Sequence, residues 1–507
     1  MNVTPSTLSE LLQHAPASKI AIILPEQNIH ITYATLRDQV HAVAEQLAAA
    51  GVSRGDRVGI ALPNGLPMVV SFLAAAAAGT AAPLNPAYME EEFRFYLEDT
   101  NARVVILPPD GLDEARRAAG NRIPILTTDM DAAGTVTLSG TSGVIGRRAV
   151  TPPSVDDVAL VLHTSGSTGR PKRVPLAHAN LSISAGNVAH TYALSADDVS
   201  LCVMPLFHVH GLVASTLATL LTGGTVVVPS KFRPLSFWRV ARDHGVTWYS
   251  AVPTLHQLLL ARAADPTSRR PVGTERLRFI RSCSASLPPR VMHALEAAFG
   301  APVLEAYGMT EAAHQMTSNP LPPEKRKPGS VGCGTDVRVG IMDLAGRICA
   351  HGDRGEVVIQ GPNVIRGYEN NPEANASSFV NGWFRTGDRG YLDADGYLWL
   401  IARIKELINR GGEKISPREI DEVLLAHPAV AEAVCFGVPH GTWGEEVAAA
   451  VVLRSAATEA ELLAYCRDHL ADYKRPKQIH ITETIPRTAT GKLQRGVVAK
   501  AYKHKVP

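Results

Sequence analysis

A loop rich in glycine and hydroxyl residues, from Thr164 to Lys172, has the chemical groups of a phosphate-binding site. Its glycines can adopt positive φ angles, which lets successive backbone N–H groups converge on one oxyanion, while its hydroxyls and its lysine add donors and positive charge. The residues predicted to hold phosphate are Thr164, Ser165, Gly166, Ser167, Thr168, Gly169 and Lys172. Because Lys172 follows a proline and no Ser or Thr comes after it, the loop differs from the G-x-x-x-x-G-K-[ST] motif. We therefore predict a nucleoside triphosphate site of another kind.

Three later segments carry groups that would complete such a site. In the segment 305–311, an aromatic ring that can stack on a purine stands beside a glycine turn, and Thr310 and Glu311 follow with the hard oxygen ligands that suit Mg²⁺. Asp388 stands at a predicted strand end, where its carboxylate can accept two ribose hydroxyls, and the Gly-containing segment 486–492 presents Lys492. The nucleotide-binding candidates of these segments are Glu305, Ala306, Tyr307, Gly308, Asp388 and Arg403.

These segments need a scaffold, and the hydrophobic pattern predicts an α/β protein. Short apolar runs, such as Ile20–Leu24, 104–107 and 225–228, alternate with helix-like segments such as 35–50. The Ala- and Gly-rich stretch 73–82 is too short to span a bilayer, so we expect a closely packed core helix there.

The pattern changes toward the carboxyl end, which indicates further parts of the fold. Residues 353–400 are rich in Gly-containing turns and short strands, and they predict a β-rich part. After residue 404 the chain has strand-like runs at 433–438 and 447–453 and a helical segment at 459–470. This predicts a small α+β domain.

The composition argues against several classes of protein. The 507 residues are 45% hydrophobic and 19% charged, as in an ordinary globular enzyme, and a formal net charge of +2 argues against nucleic acid or a membrane surface as the partner. Six cysteines without a C-x-x-C pair argue against a zinc site and a disulfide framework. The amino terminus lacks the pattern of a signal peptide, and we expect no transmembrane segment. We predict a cytoplasmic protein with small-molecule partners, as a monomer or a homodimer.

In this order, the four motifs resemble the adenylate-forming superfamily, which contains acyl-CoA synthetases, luciferases and the adenylation domains of peptide synthetases. The resemblance covers nearly the whole chain. It implies a large N-terminal domain (1–403) of two α/β sheets and a small β-barrel at about 320–400, followed by a mobile α+β C-terminal domain (404–507). It also implies ATP, Mg²⁺ and coenzyme A as ligands.

The resemblance gives a role to each nucleotide-binding motif. The loop 164–172 would hold the ATP phosphates, and Tyr307 would stack on adenine. Asp388 and Arg403 would bind the ribose.

The remaining roles concern catalysis and the movement of the small domain. Lys492 would contact the carboxylate and the α-phosphate during adenylation, and Lys405 would be the hinge. The pair Gly411 and Gly412, just past the hinge, would let the pantetheine arm of coenzyme A pass close to the backbone. Ala402 departs from the family, which usually has Gly or Asp before the arginine. The predicted catalytic residues are Lys492, Glu311, Thr310 and His208, and the predicted magnesium ligands are Glu311 and Thr168.

The expected acid pocket is more polar than in relatives that act on fatty or aryl acids. The predicted substrate-binding residues are His208, His210, Ser284 and His314. A long acyl chain would leave such donors unpaired, at a cost of about 1–3 kcal/mol each, whereas a small dicarboxylate would satisfy them. The segments that resemble the oxalate:CoA ligases of plants and yeast are 204–212, 279–284, 314–320 and 403–417. This resemblance implies conversion of oxalate, ATP and coenzyme A to oxalyl-CoA, AMP and pyrophosphate.

Other functions stay open on the sequence alone. A CoA ligase for malonate or a medium-chain fatty acid would keep every motif outside the acid pocket. A stand-alone adenylation enzyme that loads a carrier protein would share these motifs, although we find no carrier segment with a modifiable serine in the sequence. A non-catalytic binding protein with this fold would be expected to have lost residues such as Lys492, Glu311 and Asp388.

Overall fold

A computed structural model describes residues 6–140, 143–164, 171–263, 271–488 and 493–502. These residues form two compact units. The first comprises the described residues of Met1–Pro328, Gly332–Arg338 and Gln360–Phe379, and the second those of Gly329–Val331, Val339–Ile359 and Val380–Pro507. The predicted phosphate-binding residues 165–169, with the proposed magnesium ligand Thr168, and the predicted catalytic Lys492 lie outside the described residues.

The larger sheet of the first unit has a parallel centre and antiparallel edges. In spatial order its strands are Cys333–Gly334, His314–Ser318, Val303–Met309, Phe279–Ser282, Trp248–Ala251, Val199–Leu201, Thr225–Val227, Ile20–Leu24 and Ile29–Thr32. The strands from Val303–Met309 to Ile20–Leu24 are parallel, and the outer pairs are antiparallel. Central strands such as Trp248–Ala251 are fully buried, as expected where both faces of a parallel sheet are covered.

The carboxyl ends of three parallel strands lead into predicted site segments. Val199–Leu201 leads into the segment with His208 and His210, and Phe279–Ser282 leads to Ser284. Val303–Met309 leads directly to Thr310 and Glu311. Parallel strands end at the same edge of a sheet, and ligands of α/β proteins bind outside that edge. The topology therefore brings together residues that are about one hundred positions apart.

The second sheet of the first unit holds both ends of the predicted phosphate loop. In spatial order its strands are Lys172–Ala177, Val158–Thr164, Thr80–Pro83, Arg57–Ile60, Ala102–Leu107, Ile125–Met130, Val136–Gly140 and Gly143–Val144. Val158–Thr164 and Lys172–Ala177 form an antiparallel pair in which Thr164 is opposite Lys172. Because Thr164 and Lys172 are paired in the sheet, the distance between the two ends of the loop is fixed.

The core helix expected at 73–82 starts earlier and ends earlier than predicted. The helix is Leu66–Ala78, and Thr80–Pro83 is a central strand of the second sheet. Gly79 separates them because a Cβ at this position would lie 2.6 Å from the carbonyl oxygen of Asp56. The run of small apolar residues thus continues from a buried helix into a buried strand. The composition of the run does not show where the helix ends and the strand begins.

The second unit contains a β-rich part and an α+β part. The strands expected as a small β-barrel form a sheet with the spatial order Arg338–Met342, Gly355–Gln360, Trp383–Leu392 and Phe379–Val380, in which Leu398–Arg403 also pairs with Trp383–Leu392. The other sheet has the order Glu413–Ile415, Ile408–Arg410, Gly444–Leu453 and Val430–His440, with Gln478–Ile481 beside Gly444–Leu453. The predicted helix at 459–470 is Glu459–His469.

Helices cover or flank these sheets. The α-helices are Leu8–Leu11, Tyr33–Ala49, Leu66–Ala78, Glu90–Asp99, Asp113–Ala119, His178–Thr191, Ala218–Leu221, Phe237–Asp243, Pro253–Ala263, Pro289–Phe299, Pro372–Ser378, Pro417–Ala426, Glu459–His469 and Arg495–Tyr502. His210–Leu217 is a π-helix, and 3-10 turns occur at Leu12–His14, Thr310–Ala312, Ile404–Glu406 and Asp472–Lys474. Within the described part of the chain, no helix combines the length and the apolar character needed to cross a membrane.

Candidate functional site

Glu311 connects the first sheet to the hairpin that carries the predicted phosphate loop. It lies in the turn Thr310–Ala312 and is 6% exposed. Its Oε1 accepts hydrogen bonds from the Tyr368 hydroxyl at 2.8 Å and from the Thr164 hydroxyl at 3.3 Å. Thr164 is the first residue of the predicted loop, so the carboxylate lies beside the amino-terminal end of that loop. Thr310 is buried beside it.

Tyr368 is a site residue that sequence reasoning missed. Its hydroxyl donates to Glu311, and its ring lies 4.4 Å from Nζ of Lys172, which is a distance for a cation–π contact. One side chain thus orients both a predicted metal ligand and a predicted phosphate ligand. No spacing in the sequence indicates this role, because Tyr368 is 57 residues from Glu311.

An ion-pair network supports the base of the same hairpin. Asp99 Oδ2 lies 2.9 Å from Nε2 of His163 and 3.3 Å from Nε of Arg173, which are cross-strand neighbours in the hairpin. Arg173 also lies 3.7 Å from Glu369, which pairs with Arg57 at 2.7 Å. Burial lowers the pKa of His163 against the influence of Asp99. The network fixes the two strands that flank the predicted phosphate loop.

The predicted adenine-binding segment is a buried strand and not a glycine turn. Tyr307 and Gly308 belong to the strand Val303–Met309, and the predicted Glu305 and Ala306 precede them in it. Gly308 is required because a Cβ there would lie 1.8 Å from the carbonyl oxygen of His314 in the next strand. Glu305 is 1% exposed, and its Oε1 accepts the backbone N–H of Leu287 at 3.0 Å.

His210, Ser284 and His314 lie together, as their predicted role in one pocket requires. The rings of His210 and His314 have centroids 5.1 Å apart, and Nδ1 of His210 is 3.1 Å from Oγ of Ser284. Nε2 of His210 is 2.6 Å from Oγ of Ser250. His208 is partly buried, and its Nδ1 accepts the backbone N–H of His210 at 3.1 Å.

The backbone at two of these residues is strained. Ser284 has φ +74° and His314 has φ +123°, in a region that side-chain-bearing residues rarely adopt. Such conformations cost about 1–3 kcal/mol each and persist where the surrounding structure holds them, often at functional sites. The fold therefore places these two side chains at a cost in stability.

Arg281 is a second residue that sequence reasoning did not assign to the site. It is fully buried in the strand Phe279–Ser282 and reaches both Ser250 and His314. A signal was present, because a strand covered on both faces is normally apolar throughout, and this one carries an arginine. A charged residue in such a strand indicates a special partner or a special function.

Asp388 and Arg403 are adjacent in the second unit. They are direct partners on the paired strands Trp383–Leu392 and Leu398–Arg403, and Arg403 Nε lies 2.9 Å from Asp388 Oδ1. Asp388 was expected at a strand end, but it lies within the ten-residue strand Trp383–Leu392. The pairing of this strand with Leu398–Arg403 shifts in register just after Asp388, between Arg389 and Gly390. The Asp388 side chain is buried and that of Arg403 is half exposed. Their role toward a ribose stays a prediction.

The predicted hinge and the predicted coenzyme A segment are also in the second unit. Lys405 is exposed on the 3-10 turn Ile404–Glu406. Gly411 and Gly412 have φ +58° and +95°, so the turn uses the conformational freedom of glycine. A Cβ on Gly411 would lie 2.7 Å from the Trp443 ring, whereas one on Gly412 would meet open space.

Comparison with known proteins agrees with this architecture. The family described as AMP-binding enzyme matches residues 10–369, and the AMP-binding enzyme C-terminal domain matches residues 419–492. A protein of Humulus lupulus named as a probable CoA ligase is 48% identical over 98% of this chain and 96% of its own. The oxalate–CoA ligase of Arabidopsis thaliana is 47% identical over 94% of each chain.

Solved structures extend the likeness to the fold. ATP-bound MatB from Rhodopseudomonas palustris superposes with a TM-score of 0.89 at 31% identity over 100% of both chains. This confirms the predicted α/β fold with a large N-terminal and a small C-terminal domain. The chain therefore belongs to the adenylate-forming AMP-binding enzymes, in their branch of acyl-CoA ligases.

Proposed function

We propose that this ligase activates oxalate and converts oxalate, ATP and coenzyme A to oxalyl-CoA, AMP and pyrophosphate. The observation that carries the proposal is the polar cluster of His210, Ser284 and His314, in which both histidines are buried. His210 is fully buried and His314 is 3% exposed. A hydrocarbon chain offers no hydrogen bonds to hydroxyl and imidazole groups, and each buried donor that it left unpaired would cost about 1–3 kcal/mol. The Arabidopsis relative acts on oxalate, which supports the same acid for this chain.

Oxalate suits the cluster because its two carboxylates are directly bonded. One carboxylate must reach the α-phosphate of ATP, and the other then lies one C–C bond away, where hydroxyl and imidazole donors can hold it. Malonate would use the same donors but needs space for one more methylene group. The choice between the two acids depends on the length of the pocket.

The first half-reaction forms the oxalyl adenylate. An oxalate oxygen attacks the α-phosphorus of ATP, a new P–O bond forms, and the bond to pyrophosphate breaks in line with it. Negative charge moves to the leaving group, so the phosphate loop, Lys172 and Lys492 would have to stabilise it. The position of Thr164 and Lys172 at the paired ends of the loop supports this assignment. Tyr307, Asp388 and Arg403 would bind the nucleoside.

The donor set at Glu311 fits magnesium. Both hydrogen bonds between its carboxylate and described residues go to Oε1, which leaves Oε2 for a cation. Mg²⁺ keeps several waters and commonly takes one or two protein carboxylates together with substrate phosphates, so one buried carboxylate is sufficient here. When bound, Mg²⁺ would neutralise charge on the phosphate oxygens.

The second half-reaction forms the thioester. The thiolate of coenzyme A attacks the oxalyl carbon, the C–S bond forms, and AMP leaves with the electrons of the C–O bond. Lys405 would be the hinge about which the C-terminal domain (404–507) rotates. The pantetheine arm of coenzyme A would lie beside Gly411 and Gly412. Their positive φ angles support a close approach of the ligand to the backbone. The exposed position of Lys405 is consistent with a hinge.

Pyrophosphate release measured with a panel of acids tests the proposal. The panel contains oxalate, malonate, acetate, octanoate and 4-coumarate, each with ATP, Mg²⁺ and coenzyme A. We expect kcat/KM for oxalate to exceed that for octanoate and 4-coumarate by ~100-fold or more, because a site built for hydrogen bonds rejects acids that leave it unpaired. Preference for octanoate or 4-coumarate would show that the polar cluster does not face the acid, and preference for malonate would correct the length of the acid.

The state of the cysteines supports a reducing compartment. All six are free, and Cys202, Cys283, Cys435 and Cys466 are buried. We therefore place the enzyme in the cytoplasm, acting on dissolved small molecules.

A further inference from the structure

The short segment that carries Lys492 is closed by backbone pairing of the residues on either side of it. Lys492 itself lies outside the described residues, but its flanks are described. Arg487 and Leu493 form an antiparallel bridge, and the backbone N–H of Gln494 donates to the carbonyl oxygen of Pro486 at 2.9 Å. The contacts that hold these flanking residues therefore limit the positions that Lys492 can take.

Arg495, three residues after Lys492, anchors the carboxyl end of this segment. It is the first residue of the helix Arg495–Tyr502, and its side chain is 15% exposed. Its Nη2 lies 2.7 Å from Oδ2 of Asp421 and its Nη1 lies 3.4 Å from Oδ1, so two nitrogens face one carboxylate. Nη1 also donates to the carbonyl oxygen of Cys435.

Asp421 is fixed for this contact by a second bond. It is 7% exposed, and its Oδ1 accepts the backbone N–H of Cys435. Asp421 lies on the helix Pro417–Ala426 and Cys435 on the strand Val430–His440, so the arginine joins both elements to the start of its own helix. Removing one partner of a buried ion pair leaves the other charge uncompensated, which is strongly destabilising. The position of Arg495 is thus well determined.

The amino end of the segment is anchored on the same strand. Arg487 Nη2 lies 2.7 Å from Oε2 of Glu432, and Glu432 precedes Cys435 on the strand Val430–His440. Two arginines, one before Lys492 and one after it, therefore hold the segment against one edge of the C-terminal structure.

Arg495 has a further contact at the predicted hinge. Its Nε lies 3.0 Å from Oε2 of Glu406, which directly follows Lys405 on the turn Ile404–Glu406. The Glu406 side chain is 45% exposed, and such a pair contributes only about 0–1 kcal/mol to stability. The consequence of this contact is therefore geometric, since it links the hinge turn to the end of the segment that carries Lys492.

We propose that Arg495 is a positioning residue for the first half-reaction, which holds the segment so that Lys492 can reach the reacting carboxylate and the α-phosphate. Arg495 itself touches no substrate in this reaction. Its effect is large because a displacement of a reacting group by about 1 Å can reduce a rate ~100-fold. The inference rests on the proposed function, since it takes from it the part of Lys492 in adenylation.

Separate assays of the two half-reactions test the proposal. Acid-dependent exchange of labelled pyrophosphate into ATP measures adenylation without coenzyme A, and transfer from preformed acyl adenylate to coenzyme A measures the second step. Arg495→Met keeps the length of the side chain and removes its charge and donors. We expect adenylation to fall ~10- to 100-fold and transfer to fall by no more than ~3-fold. A purely structural role would lower both rates together.

The conservative variant Arg495→Lys is a second readout. It keeps the charge beside Asp421, but one ammonium group cannot reproduce the planar fork that reaches Asp421, Cys435 and Glu406 at once. We expect it to restore part of the lost adenylation, to within ~10-fold of the wild type, with transfer unchanged. If Arg495→Met does not fold, Arg495→Lys carries the test, and an unchanged ratio of the two rates in it would overturn the inference.

A matched control separates position from stability. Arg454 is another partly buried arginine of the same domain, and its Nε and Nη2 donate to the carbonyl oxygen of Val430 at 3.1 and 2.6 Å. Arg454→Met should lower the melting temperature and leave the ratio of adenylation to transfer unchanged. An equal loss of both half-reactions in folded Arg495→Met, or no loss, would overturn this inference alone.

Failure of the proposed function would give a different result. Adenylation that survives in Lys492→Ala would overturn the part assigned to Lys492, and this inference with it. A wild-type enzyme that activates another acid of the panel and not oxalate would overturn the proposed acid alone. The ratio of the two half-reactions in Arg495→Met is then measured with that acid, and the expected result is the same.

Discussion

Replacement of Tyr368 by phenylalanine removes one hydroxyl and keeps the ring that lies 4.4 Å from the Lys172 ammonium. The lost contact is the 2.8 Å hydrogen bond to Glu311 Oε1. The remaining bond to that oxygen, from Thr164, is longer at 3.3 Å, so the carboxylate would lose its better-defined anchor. A hydrogen bond to a charged group is worth about 1.5–3 kcal/mol. We therefore expect kcat/KM for MgATP to fall ~10- to 100-fold.

Pyrophosphate release at varied MgATP, and at varied free Mg²⁺ with fixed ATP, measures this effect. The concentration of Mg²⁺ that gives half-maximal activity should rise, while the KM for the acid should not change, because Tyr368 contacts the phosphate side of the site. Tyr33→Phe is the matched control. Tyr33 is fully buried and its hydroxyl donates to the carbonyl oxygens of Leu220 and Gly224, so its loss should lower the melting temperature and spare the kinetics.

Unchanged kinetics in Tyr368→Phe with an unchanged requirement for Mg²⁺ would refute the reasoning. This result would show that the backbone of the turn Thr310–Ala312 positions the Glu311 carboxylate without help from the Tyr368 hydroxyl. Equal losses in Tyr368→Phe and Tyr33→Phe would attribute the effect to stability.

Three further predictions concern other parts of the molecule. Lys492→Ala should abolish formation of the acyl adenylate and spare the transfer of a preformed adenylate to coenzyme A, as measured by separate assays of the two half-reactions; equal loss of both would exclude the assigned role. Ser284→Ala or His314→Ala should raise the KM for oxalate ~10-fold with little change in the KM for ATP, because each removes about 1–3 kcal/mol of hydrogen bonding; an unchanged KM would remove that residue from the pocket. Burial lowers the pKa of His178 to about 4, so its unfolded form takes up a proton near pH 6.5 before the native form does. The free energy of unfolding should therefore fall by up to about 3 kcal/mol as the pH drops from 6.5 to 4, and His178→Gln should show a shallower decrease in denaturant titrations; equal slopes in the two proteins would contradict the shift.

Local sequence predicted the regular elements well where the pattern was strong. The strand Ile20–Leu24 and the helix Tyr33–Ala49 agree with the predicted runs, because β-branched residues in one and helical spacing with a following glycine in the other give clear signals. The stretch 73–82 was predicted less well. Its small apolar residues suit a buried helix and a buried strand equally, and the close approach of the Asp56 carbonyl at Gly79 decides where the helix ends.

The types of the site residues also followed from the sequence, but their contacts did not. Motif spacing predicted roles for Glu311 and Lys172, and the polar character of the acid pocket predicted roles for His210, Ser284 and His314; these roles stay predictions. The turn expected at Gly308 is a strand, because the glycine is needed for an approach between neighbouring strands and not for a change of direction. A glycine in isolation does not distinguish these two requirements.

What the sequence alone determined is the chemistry that the chain can provide: the hydroxyls, the carboxylates and the cations of an adenylate-forming ligase, in the order of that family. What only the tertiary structure decided is which of these groups act on one another. Tyr368 reaches Glu311 across 57 residues, and Arg281 reaches Ser250 and His314 across 31 and 33. Hydrogen-bond direction and buried charge depend on distances of a few ångströms, and those distances are set by strand order and packing, which no local pattern in the sequence specifies.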